Sequence, residues 1–435
     1  MCSYFPSFSK GSGPEGRYVK EWHTVEQERY KLSNSIAFWE RCKDVIPAGS
    51  STLAKSPGRL AYGSSPFYAQ RASKSHFWDI DGNEWLDCEM AMGTVVWGHC
   101  REEIDAAIVA QLQKGVHYSV PSTLEYELAE RLLGRFPQYR SAKFFTNGAD
   151  AVYACVRAAR FLSNRSMTMS CEYHGWLDWS SPTYYRCAPW ELGIPQENLV
   201  HHISCYGGAP ELLKRISAEG ERLAAVVLCP AGYTPEELKE ILTACRSHGI
   251  YSIFDEVTTG CRFAKGGATT AFALQPDYLC LSKGLTNGLP LAVALGGRDE
   301  ILVMERLKIS SAHAGSNLSL AAALACEDLL AQTEIWPSWK PQTVELMTRL
   351  SDILAETSLE HRLVLSGSAG CFSIVTPGTE FLQDPFRYYM MKYLAKHHIF
   401  SKGYILFSDA HTKEEIDFVG MCLAECVRTY ITANS

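Results

Sequence analysis

Tyr251 to Pro290, YSIFDEVTTGCRFAKGGATTAFALQPDYLCLSKGLTNGLP, contains two short apolar runs, each closed by one charged residue. Asp255 follows Ile250-Tyr251-Ser252-Ile253-Phe254, and Lys283 follows Tyr278-Leu279-Cys280-Leu281-Ser282. Apolar runs of that length, bounded by Gly- and Thr-rich turns, predict two buried strands that stop at Asp255 and Lys283. In open α/β sheets, ligands bind at such strand ends.

The surrounding sequence alternates strand-like and helical pieces. Lys143-Phe144-Phe145, Met167 to Cys171, Leu223 to Leu228 and Leu291 to Gly296 read as strands. Ala149 to Leu162, Ala209 to Glu219, Pro235 to His248 and the Ala-rich Leu318 to Leu330 read as helices. This alternation predicts an α/β fold, a mostly parallel sheet with helices on both faces. Upstream, Ser33 to Val45 reads as a helix with Ile36, Phe38, Trp39, Cys42 and Val45 apolar. Asp79-Ile80-Asp81-Gly82-Asn83-Glu84 reads as a tight hairpin between aromatic-bearing strands. Two helices follow, Arg101 to Lys114 and Thr123 to Arg135. Beyond about Glu334 come another helix, strands near Leu363 to Leu365 and at Cys371 to Val375, and helices from Pro385 to His397 and Lys413 to Ile431. The predicted organisation is therefore a flexible N-terminal segment, 1–33, and a large domain, 91–330. A smaller α+β domain is made from both chain ends, 34–90 and 331–435.

Composition narrows the class of partner. The 435 residues are 46% hydrophobic and 20% charged, an ordinary globular balance. A net charge of −7 and a pI near 6.0 supply no basic stripe for nucleic acid and leave a small molecule as the expected partner. The 16 cysteines are scattered, with no CxxC and no Cys/His cluster at zinc spacing, so no metal is expected. So many thiols without a secretory signal predict a reducing cytoplasm. No apolar run reaches the ~20 residues that span a bilayer.

Three constellations carry chemistry. A buried lysine at a strand end can form a Schiff base with an aldehyde cofactor. A nearby carboxylate can hold a pyridine nitrogen protonated, and together they meet the needs of pyridoxal phosphate (PLP). Thr146-Asn147-Gly148-Ala149-Asp150-Ala151 lies between a strand and a helix, where Gly admits a ligand close to the backbone and the helix start suits a phosphate. Tyr173-His174-Gly175-Trp176 follows another strand, and an aromatic ring there can stack on a flat heteroaromatic cofactor.

Tyr173-His174-Gly175-Trp176, Phe254 to Arg262, Pro276-Asp277, Ser282-Lys283-Gly284 and Asn287-Gly288-Leu289-Pro290, in this order, resemble the class III PLP-dependent aminotransferases. The likeness runs from about Ile36 to Ile431 and is nearest to the branch of glutamate-1-semialdehyde aminomutase-like enzymes. It implies PLP fold type I and a homodimer with shared active sites. It also implies catalysis by Lys283, as the Schiff-base lysine and proton carrier, with Asp255 on the pyridine nitrogen. Tyr173 and Val257 would flank the ring, His174 would lie beside the cofactor, and Gly148 and Ala149 would offer N–H groups to the phosphate.

Three departures from the family pattern stand out. Ala149 replaces a frequent Ser or Thr, Cys229-Pro230 replaces Glu-Pro, and His313 falls where a partner-subunit Thr would reach the phosphate, with Ser316 as the alternative. Substrate contacts carried over by the likeness are Lys55, Trp97, Tyr118 and Ser119. Lys55 is the nearest cation to the position of a carboxylate-binding Arg. The implied activity is amino transfer from a donor, for which glutamate is a candidate, to an aldehyde or keto acceptor in a biosynthetic pathway. The alternatives are a 2,1-aminomutase acting on a semialdehyde, and a catalytically silent protein that kept the fold.

Overall fold

The computed structural model describes residues 31–185, 192–332, 340–355, 363–368, 370–379 and 383–434. Almost all of the segment expected to be flexible, and the start of the helix expected from about Glu334, lie outside these residues. The described chain forms two compact units. A central unit takes residues 93–96 and 102–332, and an end unit takes 31–92, 97–101 and the residues from 340 onward.

The end unit begins with helix Ser33–Cys42 and strands β1 (Ala69–Ser73), β2 (His76–Asp79) and β3 (Glu84–Asp87). The Asp-Gly hairpin forms as expected, because Asp79 gathers its donors: Asn83 N, Asn83 Nδ2 and Trp85 Nε1 each donate to its carboxylate at 2.8 Å. Asp81 accepts from the Asn34 and Ser35 N–H groups at 2.6 and 2.9 Å, which ties the hairpin to the first turn of the helix. That helix stops three residues earlier than the periodicity predicts. Val45 N and Ile46 N both turn back to the Cys42 carbonyl, and Val45 is left 81% exposed.

The central unit carries β4 (Ser141–Phe145), β5 (Met167–Ser170), β6 (His202–Ser204), β7 (Leu223–Leu228), β8 (Tyr251–Asp255), β9 (Tyr278–Leu281) and β10 (Ala292–Gly296). Their order in the sheet is β4-β10-β9-β8-β7-β5-β6. The run from β9 to β6 is parallel, and β10 pairs antiparallel with both β9 and β4. All six β7 residues are buried, as a parallel strand covered on both faces requires.

Alternation along these strands sorts side chains to two cores. Val226, Phe254, Leu279 and Val293 pack on one face, and Val227, Ile253, Cys280 and Ala294 pack on the other, beneath the small residues of helix Gly148–Ser163. β6, three residues long and bearing His202 and Ser204, is too short and polar to show a period in sequence. The last strands, β11 (Val364–Ser368), β12 (Cys371–Val375), β13 (Ile399–Phe400) and β14 (Ile405–Leu406), belong to the end unit, where β13 pairs parallel with β3.

Candidate active site

The site grows from the carboxyl ends of β4, β5, β8 and β9. After β4 the chain turns at Asn147, whose side chain accepts from Asp150 N at 3.1 Å and starts helix Gly148–Ser163. The Gly148 and Ala149 N–H groups are left without a partner inside the helix. A Cβ on Gly148 would lie 2.5 Å from Val257 Cγ2, and one on Gly175 would lie 2.4 Å from Ala149 Cβ. The turn after β4 is thereby pressed against the segments that follow β8 and β5. Gly148, Ala149, Gly175 and Val257, far apart in sequence, meet at one place.

At the end of β8, Asp255 is 7% exposed and both of its oxygens are engaged. Val257 N donates to Oδ1 at 3.1 Å, and His174 Nδ1 lies 2.8 Å from Oδ2. The ring of His174 is buried between two carboxylates, since Glu172 Oε2 stands 3.6 Å from its other nitrogen. Burial alone would drive the proton off His174. The hydrogen bond to Asp255 and the charges of Asp255 and Glu172 outweigh it and raise the pKa to about 10, so the ring is an imidazolium at neutral pH.

At the end of the neighbouring strand β9, Lys283 Nζ donates to Thr258 Oγ1 at 2.8 Å. Lys283 adopts φ of +46°, a left-handed conformation that is uncommon for a side chain of this size. It opens a short turn, Lys283–Leu285, anchored from before by the Ser282 hydroxyl donating to the Leu291 carbonyl at 2.7 Å. The next carboxylate in the chain, Glu256, is spent on structure. It is fully buried and accepts from Ala268 N, Thr269 N, Thr269 Oγ1 and Thr259 Oγ1 at 2.5 to 2.8 Å.

The strand ends thus bring together Lys283, Asp255, Val257, His174, Tyr173, Gly148 and Ala149. Tyr173, beside His174, is 38% exposed, so its ring is only partly covered. The remaining expected residues lie elsewhere in the chain. Tyr118 is exposed and exchanges hydrogen bonds with Gln111 and Lys114 of its own segment, Ser119 is exposed, and His313 is exposed with its ring 5.4 Å from that of His117. Lys55 and Trp97 belong to the end unit, Lys55 on an exposed turn and Trp97 buried. Three participants escape a reading of the sequence: Thr258, Glu172 and Tyr233, whose hydroxyl donates to Glu172 Oε1 at 2.6 Å. Thr258 and Glu172 adjoin recognisable motif residues, whereas Tyr233 carries no local signal.

The residues present fit PLP. An amine and a carboxylate close adjacent parallel strands, and a Gly-bearing helix start closes the edge of the same sheet. The fold and these groups together define a PLP enzyme of fold type I. The family "Aminotransferase class-III" matches residues 60–181 and 197–381, more than half of the chain, and the protein belongs to that family. Its cofactor is PLP.

The chain is 32% identical over 364 residues to a glutamate-1-semialdehyde 2,1-aminomutase of Methanosarcina acetivorans, covering 79% of this chain and 84% of that one. It is 29% identical over 357 residues to the enzyme of the same name from Syntrophobacter fumaroxidans. Among solved structures, the FumI protein of Sphingopyxis superposes with a TM-score of 0.80 at 24% identity, over 91% of this chain and 96% of that one. A glutamate-1-semialdehyde aminomutase of Pseudomonas aeruginosa superposes at 0.78 and 18% identity, over 91% and 94%. These superpositions establish the shared fold. Among the described residues, no helix is long and apolar enough to cross a membrane, and no group of three or more His, Cys, Asp or Glu side chains is placed to hold a metal ion.

Proposed function

We propose that this protein moves an amino group from an amino donor, for which glutamate is a candidate, to an aldehyde or keto acceptor, in two alternating half-reactions. The observation that carries the reading is the placement of Lys283 and Asp255 at the ends of adjacent parallel strands. PLP bound there supplies an electron sink for bonds at the substrate's Cα. The rest falls to the chain. Lys283, held by Thr258 in the resting site, carries the cofactor and moves the proton at Cα as general base and then general acid. Asp255 faces the pyridine nitrogen with an orientation set by Val257 N and His174. Tyr173 and the Val257 side chain flank the ring, while Gly148 and Ala149 bind phosphate through backbone N–H groups.

The other roles are assigned on the family pattern. Lys55, Trp97, Tyr118 and Ser119 contact substrate, and His313 reaches phosphate from the second copy of a homodimer. Val109, Leu112, Val116 and Val120 are exposed apolar residues of the central unit that a second copy would cover.

The test is a panel of single amines mixed with the PLP-loaded protein, following loss of the cofactor's visible band, then carbonyl acceptors to restore it. Bleaching by a donor and recovery with a separate acceptor support amino transfer. A protein that isomerises one amino-aldehyde and ignores every external donor is instead a 2,1-aminomutase. That second reading is favoured by the names of the relatives at 29 to 32% identity.

A further inference from the structure

Behind Asp255 runs a line of polar side chains whose far members, Glu172 and Tyr233, have no part in the proposed chemistry. Tyr233 OH donates to Glu172 Oε1 at 2.6 Å, Glu172 Oε2 stands 3.6 Å from His174 Nε2, and His174 Nδ1 lies 2.8 Å from Asp255 Oδ2. Glu172, His174 and Asp255 are buried. The line crosses the end of β7, whose next residue, Cys229, also donates its N–H to Glu172 at 3.4 Å. Trp179 stacks on the His174 ring, with centroids 6.0 Å apart and planes 16° apart, and Tyr153 stacks on Trp179. The imidazole therefore has neighbours at both nitrogens and on its face.

We propose that Glu172 and Tyr233 are positioning residues of this site, which act through His174 to lock the Asp255 carboxylate with its unused lone pairs toward the cofactor. The proposal rests on PLP being the cofactor and not on which amine or carbonyl the enzyme accepts.

The second ring proton decides how His174 holds Asp255. A neutral imidazole offers one donor and one acceptor, and in one of its two tautomers a bare Nδ1 would confront the Asp255 oxygen lone pair to lone pair. With protons on both nitrogens that tautomer is excluded. The second proton is favoured by a carboxylate on the Nε2 side, and Glu172, with Oε2 3.6 Å from that otherwise unpartnered nitrogen, is the group placed there. Tyr233 occupies the far oxygen of Glu172, and burial together with the Glu172 charge keeps its phenol protonated and donating. The other titratable group facing His174 is His202 on β6. It is held neutral, near 3, by its own burial and then by the charge on His174, so it puts no second cation beside the ring. With Oδ2 bound to a fixed imidazolium and Oδ1 to the Val257 N–H, Asp255 cannot rotate away from its ligand-facing orientation.

The test uses PLP-loaded protein labelled with ¹⁵N-histidine, titrated with pH while the His174 ring signals and the cofactor's visible band are recorded together. In the unaltered protein His174 should stay doubly protonated through pH 9. Glu172→Gln should lower its proton affinity about tenfold or more, roughly one pKa unit. The visible band should then show a new transition at the same pH, and PLP should dissociate faster above it. Tyr233→Phe should give a smaller shift of the same sign, and Glu172→Asp should restore most of the original behaviour. A His174 titration unmoved by Glu172→Gln overturns the proposal, and so does one that moves while the band and PLP release do not. If Glu172→Gln does not fold, Tyr233→Phe carries the test with the same two outcomes. Failure of every amine donor would sink the aminotransferase reading and leave these readouts intact.

Discussion

The two ends of the proposed cofactor cradle are built on different principles. At the pyridine end, Asp255, His174 and Glu172 are buried and the half-buried Tyr233 extends their line, with a hydrogen bond at each end and a 3.6 Å ion-pair contact between Glu172 and His174 in the middle. At the phosphate end the chain offers backbone and small side chains: Gly148, Ala149, and Gly175 pressed against Ala149. One end holds by placing charge where water cannot screen it, the other by letting the main chain come close. Substitutions at the first should therefore alter chemistry and pH dependence, and substitutions at the second should alter how tightly PLP is held.

The largest effect expected is that of Lys283→Ala. It should remove the visible band and slow the half-reaction by about 10²–10⁴-fold, the usual contribution of a placed acid–base group. Stopped-flow spectroscopy with a reactive amine measures this, and a variant that keeps its rate would end the assignment of Lys283 as the group that carries the cofactor and moves the proton.

His174 gives the next test. Its folded pKa, about 10, lies above its ordinary value of 6.5. The stability it contributes is therefore complete below about 6.5 and is lost as pH rises through about 10. Urea unfolding between pH 7 and 10 should show this decline in the parent protein, and His174→Asn should flatten it.

Moving to the phosphate end, Gly148→Ala forces a methyl group into Val257, an overpacking that costs about 1–3 kcal/mol. Thermal unfolding and PLP affinity should both suffer, while the pH profile of the half-reaction stays in place. The smallest effect is a gain. Ala149→Ser adds a hydroxyl where this chain has none, and one new hydrogen bond contributes about 0.5–1.5 kcal/mol. PLP should bind roughly two- to tenfold tighter by equilibrium titration. No change would mean that the backbone already saturates that face of the phosphate.

What could be read from the sequence follows the same division. Asp255 and Lys283 stand out because each ends an apolar run, and the helix after Asn147 stands out because its Gly-bearing turn and helical pattern are local. Helix Thr123–Arg135 coincides with its predicted limits, having a Ser122 cap and an apolar stripe through Leu128 and Leu132. The line behind Asp255 was not legible. Tyr233 and Glu172 lie 61 residues apart and His174 and Asp255 lie 81 apart, so only the order of strands in the sheet brings them together. Val45 departs from its expected place for a related reason. Its spacing fits the helix, but the turn at Cys42 takes the chain off that face.

Lys283 sits in a backbone region where an L side chain costs roughly 1–2 kcal/mol, and glycine would occupy it without that penalty. Lys283→Gly should then unfold at a temperature equal to or above that of Lys283→Ala, by differential scanning calorimetry, with neither able to hold the cofactor covalently. Durability and turnover pull in opposite directions at this one position. A laboratory selection for heat resistance alone, run on this gene, would tend to discard the residue on which its chemistry depends.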